Sequence, residues 1–176
     1  FKMADIKYRT NALLKKEDPY NTYTFLSSFH QEYHLNPIYF FLLGDRAKND
    51  KNLSADSKMM QLLIRNLSLK YDIGIHPSFA SNEFFKKIII EKNRLSTIAK
   101  KQITKSRQHF LMLKFPDTYR NLIDAGITDD YSHGYADEIG FRAGTCSEFY
   151  FYDLQKEEET KLRIHPFAVM DSTLNL

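Results

Sequence analysis

The sequence predicts an α/β fold of successive βα units around a mainly parallel sheet. Two observations carry this. Along the chain the apolar residues switch repeatedly between a helical and a strand period, the mark of alternating helices and strands. The strand-like stretches are continuous β-branched and aromatic runs closed by Gly or Pro, as in strands buried on both faces. Helical patterns thin out toward the C-terminus, which suggests a (β/α) barrel or an open, barrel-like sheet with an irregular final part. No internal repeat or low-complexity linker divides the chain, so residues 1–176 read as one domain.

Residues 21–34 follow Asp18-Pro19, offer Asn21 as a cap and put Phe25, Phe29 and Tyr33 on one face, which predicts a helix. Pro37 to Leu43, closed by Gly44, predicts a buried strand. Residues 54–70 open at Ser54 or Asp56 and carry Met59, Leu62, Leu63 and Leu67 on one stripe, a second helix. Asp72 to His76 is a short strand broken by Pro77. Ser81-Asn82 caps a third helix to about Lys101, and Ile103 to Phe110 forms the next strand. Phe115 to Ala125 is a helix begun by Pro116 and stopped by Gly126. Extended runs follow over 127–131, 140–145, 149–154 and 162–170.

A hydrophobic content of 43% is enough for a sizeable core. The 25 basic and 22 acidic side chains are mixed along the chain, leaving a formal charge of +3. The densest basic stretch, Lys100 to Arg107, has four positive residues but lacks the interleaved aromatics of single-strand binders, so nucleic acid is not an expected partner. Cys146, the single cysteine, excludes an internal disulfide and has no cysteine at metal-binding spacing. A small, buried apolar role is expected for it. No run reaches the ~18 apolar residues of a membrane span, and no charged-then-apolar leader opens the sequence. A soluble chain is expected. A reducing, cytoplasmic compartment fits the cysteine count, while secretion stays open because the sequence starts at Phe1 rather than Met. It also stops at Leu176 directly after a strand-like run, so a fragment incomplete at both ends is expected.

In parallel βα architectures the reactive groups gather at the C-terminal ends of the strands. Those ends carry Asp45, His76-Pro77-Ser78, Arg107-Gln108-His109, Asp129-Asp130-Tyr131, Arg142 and His165. Imidazoles and carboxylates converging on one rim suit a divalent metal and an activated water. His76 and His109 are the candidate metal ligands, Pro77 making the entry to the loop rigid. A partly buried, backbone-bonded histidine is the alternative for each. Asp45, Ser78, Arg142 and His165 are candidate substrate contacts. Arg142 reads equally as a structural arginine paired with a carboxylate. His30 and His34 lie one helical turn apart without an evident third ligand, on the solvated face, and His133 falls in a polar loop.

The runs PIYFFLLGD, YDIGIHPSFASN, ITKSRQHFLML, TYRNLIDAGITDDYS, GFRAGTCSEFYFYDL and LRIHPFAVMDSTL, in that order, resemble a bacterial branch of the polysaccharide deacetylases, carbohydrate esterase family four. The resemblance covers nearly the whole chain. It implies a distorted or partial (β/α) barrel, one Zn²⁺ or similar ion held by an aspartate and two histidines, and hydrolysis of acetyl groups on a polysaccharide or glycan. Asp5 and Asp18 do not fit the family's first motif, an aspartate pair, and the resemblance implies that this motif lies upstream of Phe1. In the second motif His76 matches the first histidine, and Ala80 stands where the second would be. In the third, Arg107 matches the arginine that orients the base, and His109 stands where a proline is usual and supplies the missing imidazole. The family's acid histidine is expected after Leu176, and His165 does not take that role. The fragment alone is then expected to be inactive. The alternative is a carbohydrate-binding relative that kept the fold and lost catalysis, motivated by Ala80 and by the 14% aromatic content. A third reading, an unrelated structural α/β domain, gains weight if His76 and His109 lie far apart.

Overall fold

The structure, a computed structural model, describes residues 6, 10, 14 and 21–174. Two compact units are distinguished, residues 1–37 and 38–176. Asp5 and Asp18-Pro19 lie outside the described residues.

In the first unit, helix α1 spans Tyr23–Glu32. The position before it is Thr22, without a side-chain cap bond, so Asn21 does not cap it. The expected aromatic face is present, with centroids 6.2 Å apart for Phe25 and Phe29 and 4.5 Å for Phe29 and Tyr33. The helix ends where His34 enters the left-handed region at φ 52° and Leu35 N–H returns to the His30 carbonyl at 2.9 Å.

The second unit is a mixed α/β structure on a six-stranded sheet. The strands are β1 (Ile38–Phe41), β2 (Asp72–Ile75), β3 (Lys105–Ser106), β4 (Asp129–Asp130), β5 (Phe149–Asp153) and β6 (Glu158–Ile164). Their order is β1-β2-β3-β4-β6-β5, parallel except for β5, which pairs antiparallel with β6. Each of the first three parallel steps is crossed by one helix: α2 (Lys58–Lys70), α3 (Lys86–Ala99) and α4 (Asp117–Asp124). A short α5 (Asp171–Leu174) brings the helices among the described residues to five. None is long and apolar enough to cross a membrane.

The core lies between sheet and helices, with Leu43, Ile64, Ile75, Leu95, Leu122, Leu162 and Ile164 each at 0% exposure. At Gly74 a Cβ would come within 2.5 Å of the Phe40 ring and 2.8 Å of the Lys105 carbonyl, so glycine lets β1 and β3 close in on β2. Helix α2 is capped by Ser57 rather than Ser54 or Asp56. Its buried stripe is Ile64, Leu67 and Ser68, while Met59 and Leu62 face outward; the period was legible, the face was not. Ser81-Asn82 does not cap α3, which Phe85 precedes without a side-chain cap bond, and Ser78 caps a 3₁₀ turn over Phe79–Asn82 instead.

Three strand expectations are corrected. The run 103–110 pairs only at Lys105–Ser106. Beyond it the Ser132 hydroxyl takes the Gln108 N–H at 2.8 Å, and Phe110 and Leu111 adopt φ 57° and 50°, folding the chain into a 3₁₀ turn over His109–Leu111. Residues 140–145 form turns rather than a strand, with Gly144 at φ 70°, and the last strand ends at Ile164, before His165-Pro166.

Candidate functional site

His76 follows directly on β2, its N–H donating to the Phe41 carbonyl at 2.9 Å as the last rung beside β1. Arg107 and His109 continue along the same edge, their N–H groups donating to the carbonyls of Ile75 at 3.1 Å and Pro77 at 3.3 Å. The two imidazoles meet there, His109 Nδ1 lying 3.0 Å from His76 Nε2. The reading of an unrelated structural domain, which a large separation would strengthen, gains nothing from this distance.

The remaining nitrogens fix the ring protons. His76 Nδ1 lies 2.5 Å from the Arg107 carbonyl, and His109 Nε2 lies 3.1 Å from the Asn49 carbonyl. A carbonyl only accepts, so each of these nitrogens carries the hydrogen. His76 Nε2 is then a lone pair, and His109 Nδ1 faces it at hydrogen-bond distance, a contact that one proton or a shared cation would satisfy. Bonds of ~2.0–2.1 Å let one ion touch both nitrogens at this spacing. Burial, together with the nearby His109 and the Arg107 guanidinium, brings His76 down to about 4, against the upward pull of its bond to the Arg107 carbonyl and of Asp50. The ring is therefore neutral near pH 7, the form that binds metal.

Sequence reasoning missed Asp50. It selected Asp45 at the strand end, but Asp45 turns outward to Arg94 at 2.9 Å and Lys87 at 3.8 Å. Asp50, five residues further on the same loop, is 1% exposed, and its Oδ1 stands 4.0 Å from His109 Nε2. It accepts the N–H groups of Phe79 at 2.8 Å and Ala80 at 3.3 Å. The backbone at Ala80, where a second histidine was expected, thus anchors the acid beside the pair. No composition or spacing signal marks Asp50; the convergence of βα loops over the rim is the one clue. Among the described residues no group of three His, Cys, Asp or Glu is arranged to hold an ion.

The other candidates are spread around the rim. Ser78 is buried: its hydroxyl donates to Glu91 at 2.6 Å and accepts the Ser81 N–H at 3.2 Å, and its own N–H donates to Glu91 at 2.9 Å. Burial raises the Glu91 carboxyl despite these bonds. The Ser78 side chain therefore organises the loop behind His76. Arg107 donates to the Tyr131 carbonyl at 2.8 Å and lays its guanidinium 4.2 Å from the Phe167 ring centroid. Arg142 is exposed, 5.8 Å from the Phe115 ring centroid. Cys146 is exposed, which corrects the buried role expected for it. Of the helical pair, His34 is exposed and His30 half-buried, and His133 sits 3.2 Å from the Tyr119 hydroxyl.

His165 is held in a second cluster. Its Nε2 lies 2.8 Å from Asp129 and its Nδ1 3.3 Å from Glu148, and its ring stacks on Tyr131 at 4.2 Å. Arg163 joins both acids, at 2.9 Å and 3.0 Å. Burial pushes the Asp129 carboxyl up, but bonds from Thr128, His165 and Arg163 and the Arg163 charge outweigh it, and the net shift is downward. Between the clusters Asp130 is fully buried and accepts from Ser106 at 2.6 Å and Ser132 at 2.9 Å. A cavity of about 780 Å³ opens beside Gln108, Leu111 and Thr118, and none of the expected site residues lines it.

No protein-family model and no curated protein matches this chain.

Proposed function

We propose that His76 and His109 hold a Zn²⁺ or similar divalent ion, and that the chain forms the body of a metal-dependent hydrolase removing acetyl groups from a polysaccharide or glycan. The observation that carries this reading is the pair of imidazole nitrogens facing each other at 3.0 Å. Parallel strands in sequential order up to β4 support the finer fold reading as well, a partial (β/α) barrel of the polysaccharide deacetylase type.

An ion bound there would supply Lewis acidity toward an acetyl carbonyl and toward water. The chain's own groups prepare for it. The carbonyls of Arg107 and Asn49 hold the two rings in the tautomers that present their lone pairs. Asp50 brings a negative charge beside the pair while its oxygens stay bonded to Phe79 and Ala80, which offsets the charge of a bound cation. Arg107 keeps its guanidinium at Tyr131, where it can orient a neighbouring carboxylate.

Ala80 at the position of the second histidine and the 14% aromatic content favour a second reading, a glycan-binding relative without catalysis. Metal uptake by calorimetry, with acetate release from an acetylated oligosaccharide measured with and without chelator, separates the two. Metal uptake is expected of this chain, and chelator-sensitive acetate release of a longer chain that carries the aspartate pair and the acid histidine. Glycan binding with neither metal uptake nor acetate release would leave the binding relative standing.

A further inference from the structure

We propose that the cavity beside Gln108 binds a small, neutral, planar molecule whose N–H and C=O lie side by side, as in a lactam or a primary carboxamide. The cavity lies between the turn after β2 and the helices α3 and α4, with a volume of about 780 Å³, ample for a small organic ligand. Neither His76 nor His109 lines it, so the site stands whether or not a metal binds at that pair.

Arg107 and His109 turn to the rim, while Gln108 between them lines the cavity on the helical side. Gln108 is 1% exposed, and neither its Nε2 nor its Oε1 has a hydrogen-bond partner among the described residues. The other buried polar side chains of this wall are engaged with their own loops. The Ser81 hydroxyl donates to the Ser78 carbonyl at 2.6 Å, and the Thr118 hydroxyl accepts the Lys114 N–H at 2.9 Å. A buried donor and acceptor left without partners lower stability, and a methionine of nearly the same shape would avoid that cost. A polar group kept against the interest of the fold marks a place where it serves a ligand. Its amide is closed to bulk water, and a turn about its own side-chain torsions presents it to an occupant of the cavity.

The unsatisfied atoms define the occupant. A carboxamide holds donor and acceptor in one plane, and its complement is the same edge reversed, which a lactam or a primary amide supplies. A carboxylate offers acceptors only. Charge sets an anion aside as well: Lys114 is paired with Asp117 at 3.0 Å and Arg120 with Asp153 at 2.6 Å. Glu83 and Asp124, also on the cavity, have no ion-pair partner among the described residues. Ile88, Leu111 and Leu113 add apolar surface suited to a flat ring.

The test titrates 2-pyridone and benzamide into the intact protein, with chelator present so that no metal is involved, and follows binding by NMR. At least one of the two is expected to bind, and the tighter one distinguishes a lactam ligand from a carboxamide. N-methyl-2-pyridone and N,N-dimethylbenzamide, which lack the donor, should bind at least roughly tenfold more weakly, and benzoate should not bind. Gln108→Met should weaken the parent probes by a similar factor while melting at a higher temperature than wild type. Weaker binding by a more stable variant is a result that structural damage cannot produce. Binding of neither parent probe, equal binding of the methylated forms, or unchanged binding by Gln108→Met overturns the site. A lower melting temperature for Gln108→Met overturns it too, because the amide would then be satisfied within the fold.

Discussion

His76 and His165 both follow a strand of the same sheet, yet their rings are held in opposite ways. At the end of β2 the His76 ring gives its proton to a carbonyl and turns a lone pair toward His109. At the end of β6 the His165 ring lies between two carboxylates, Asp129 and Glu148, with Arg163 across both. A carbonyl partner on one nitrogen leaves the other free for a metal, whereas at His165 the two carboxylates occupy both ring nitrogens. The residue type alone does not separate the proposed ligand from the clamp; the acceptor behind the ring does.

The comparison breaks first if the metal does not discriminate between the regions. His76→Ala and His109→Ala should each lower Zn²⁺ or Co²⁺ affinity by at least ~100-fold, the upper end of what losing a mere supporting partner does. His165→Ala should leave uptake unchanged in the same titration, and an equal loss there would erase the distinction.

A second effect concerns acid. In metal-free protein the His76 ring is held at about 4 against its ordinary 6.5, so the folded state resists a proton that the unfolded chain accepts. The resulting stability is full above about pH 6.5 and is lost as pH falls toward 4, by up to ~3 kcal/mol. Urea melts of wild type and His76→Gln across that range should diverge, and parallel curves would contradict the burial of this ring.

Smaller changes are expected where side chains act as clamps. Asp129→Ala leaves Arg163 and His165 without their shared acceptor and should cost about 2 kcal/mol, less than a fully buried pair because Arg163 is 41% exposed. A loss under ~0.5 kcal/mol by chemical denaturation, the range of an ordinary surface change, would show that the β6 cluster is not structural. Ser78→Ala removes one buried hydroxyl from the Glu91 loop and should cost about 1 kcal/mol, with metal affinity reduced less than in either histidine variant.

Much of the fold was legible because burial follows period. Asp72 to Ile75 reads as a strand in both sequence and structure, and α1 to α4 fall within the helical windows. The failures share a cause. The run from Ile103 to Phe110 has the apolar content of a strand, but a serine hydroxyl from another loop takes the Gln108 N–H and the chain turns. In α2 the pattern gives a stripe, and only the neighbouring α3 and β2 decide which stripe is buried. The histidines were found because strand ends are few. Asp50 was not, because a loop acid is identified by the N–H groups that meet it, and these come from Phe79 and Ala80 on another loop.

The strand order bears on how the sheet can assemble. From β1 to β4 each strand joins the one made just before it, so the growing edge can be extended as the chain emerges. The rule then breaks: β5 is made before β6 but sits outside it, and β4 pairs with β6. The exposed edge of β4 must wait for the later strand, and β5 and β6 reach it most directly as a preformed hairpin. Until then Asp129 lacks its partners, because Arg163 and His165 arrive with β6. The same ionic cluster that clamps the finished sheet is thus the contact that recognises the correct incoming strand.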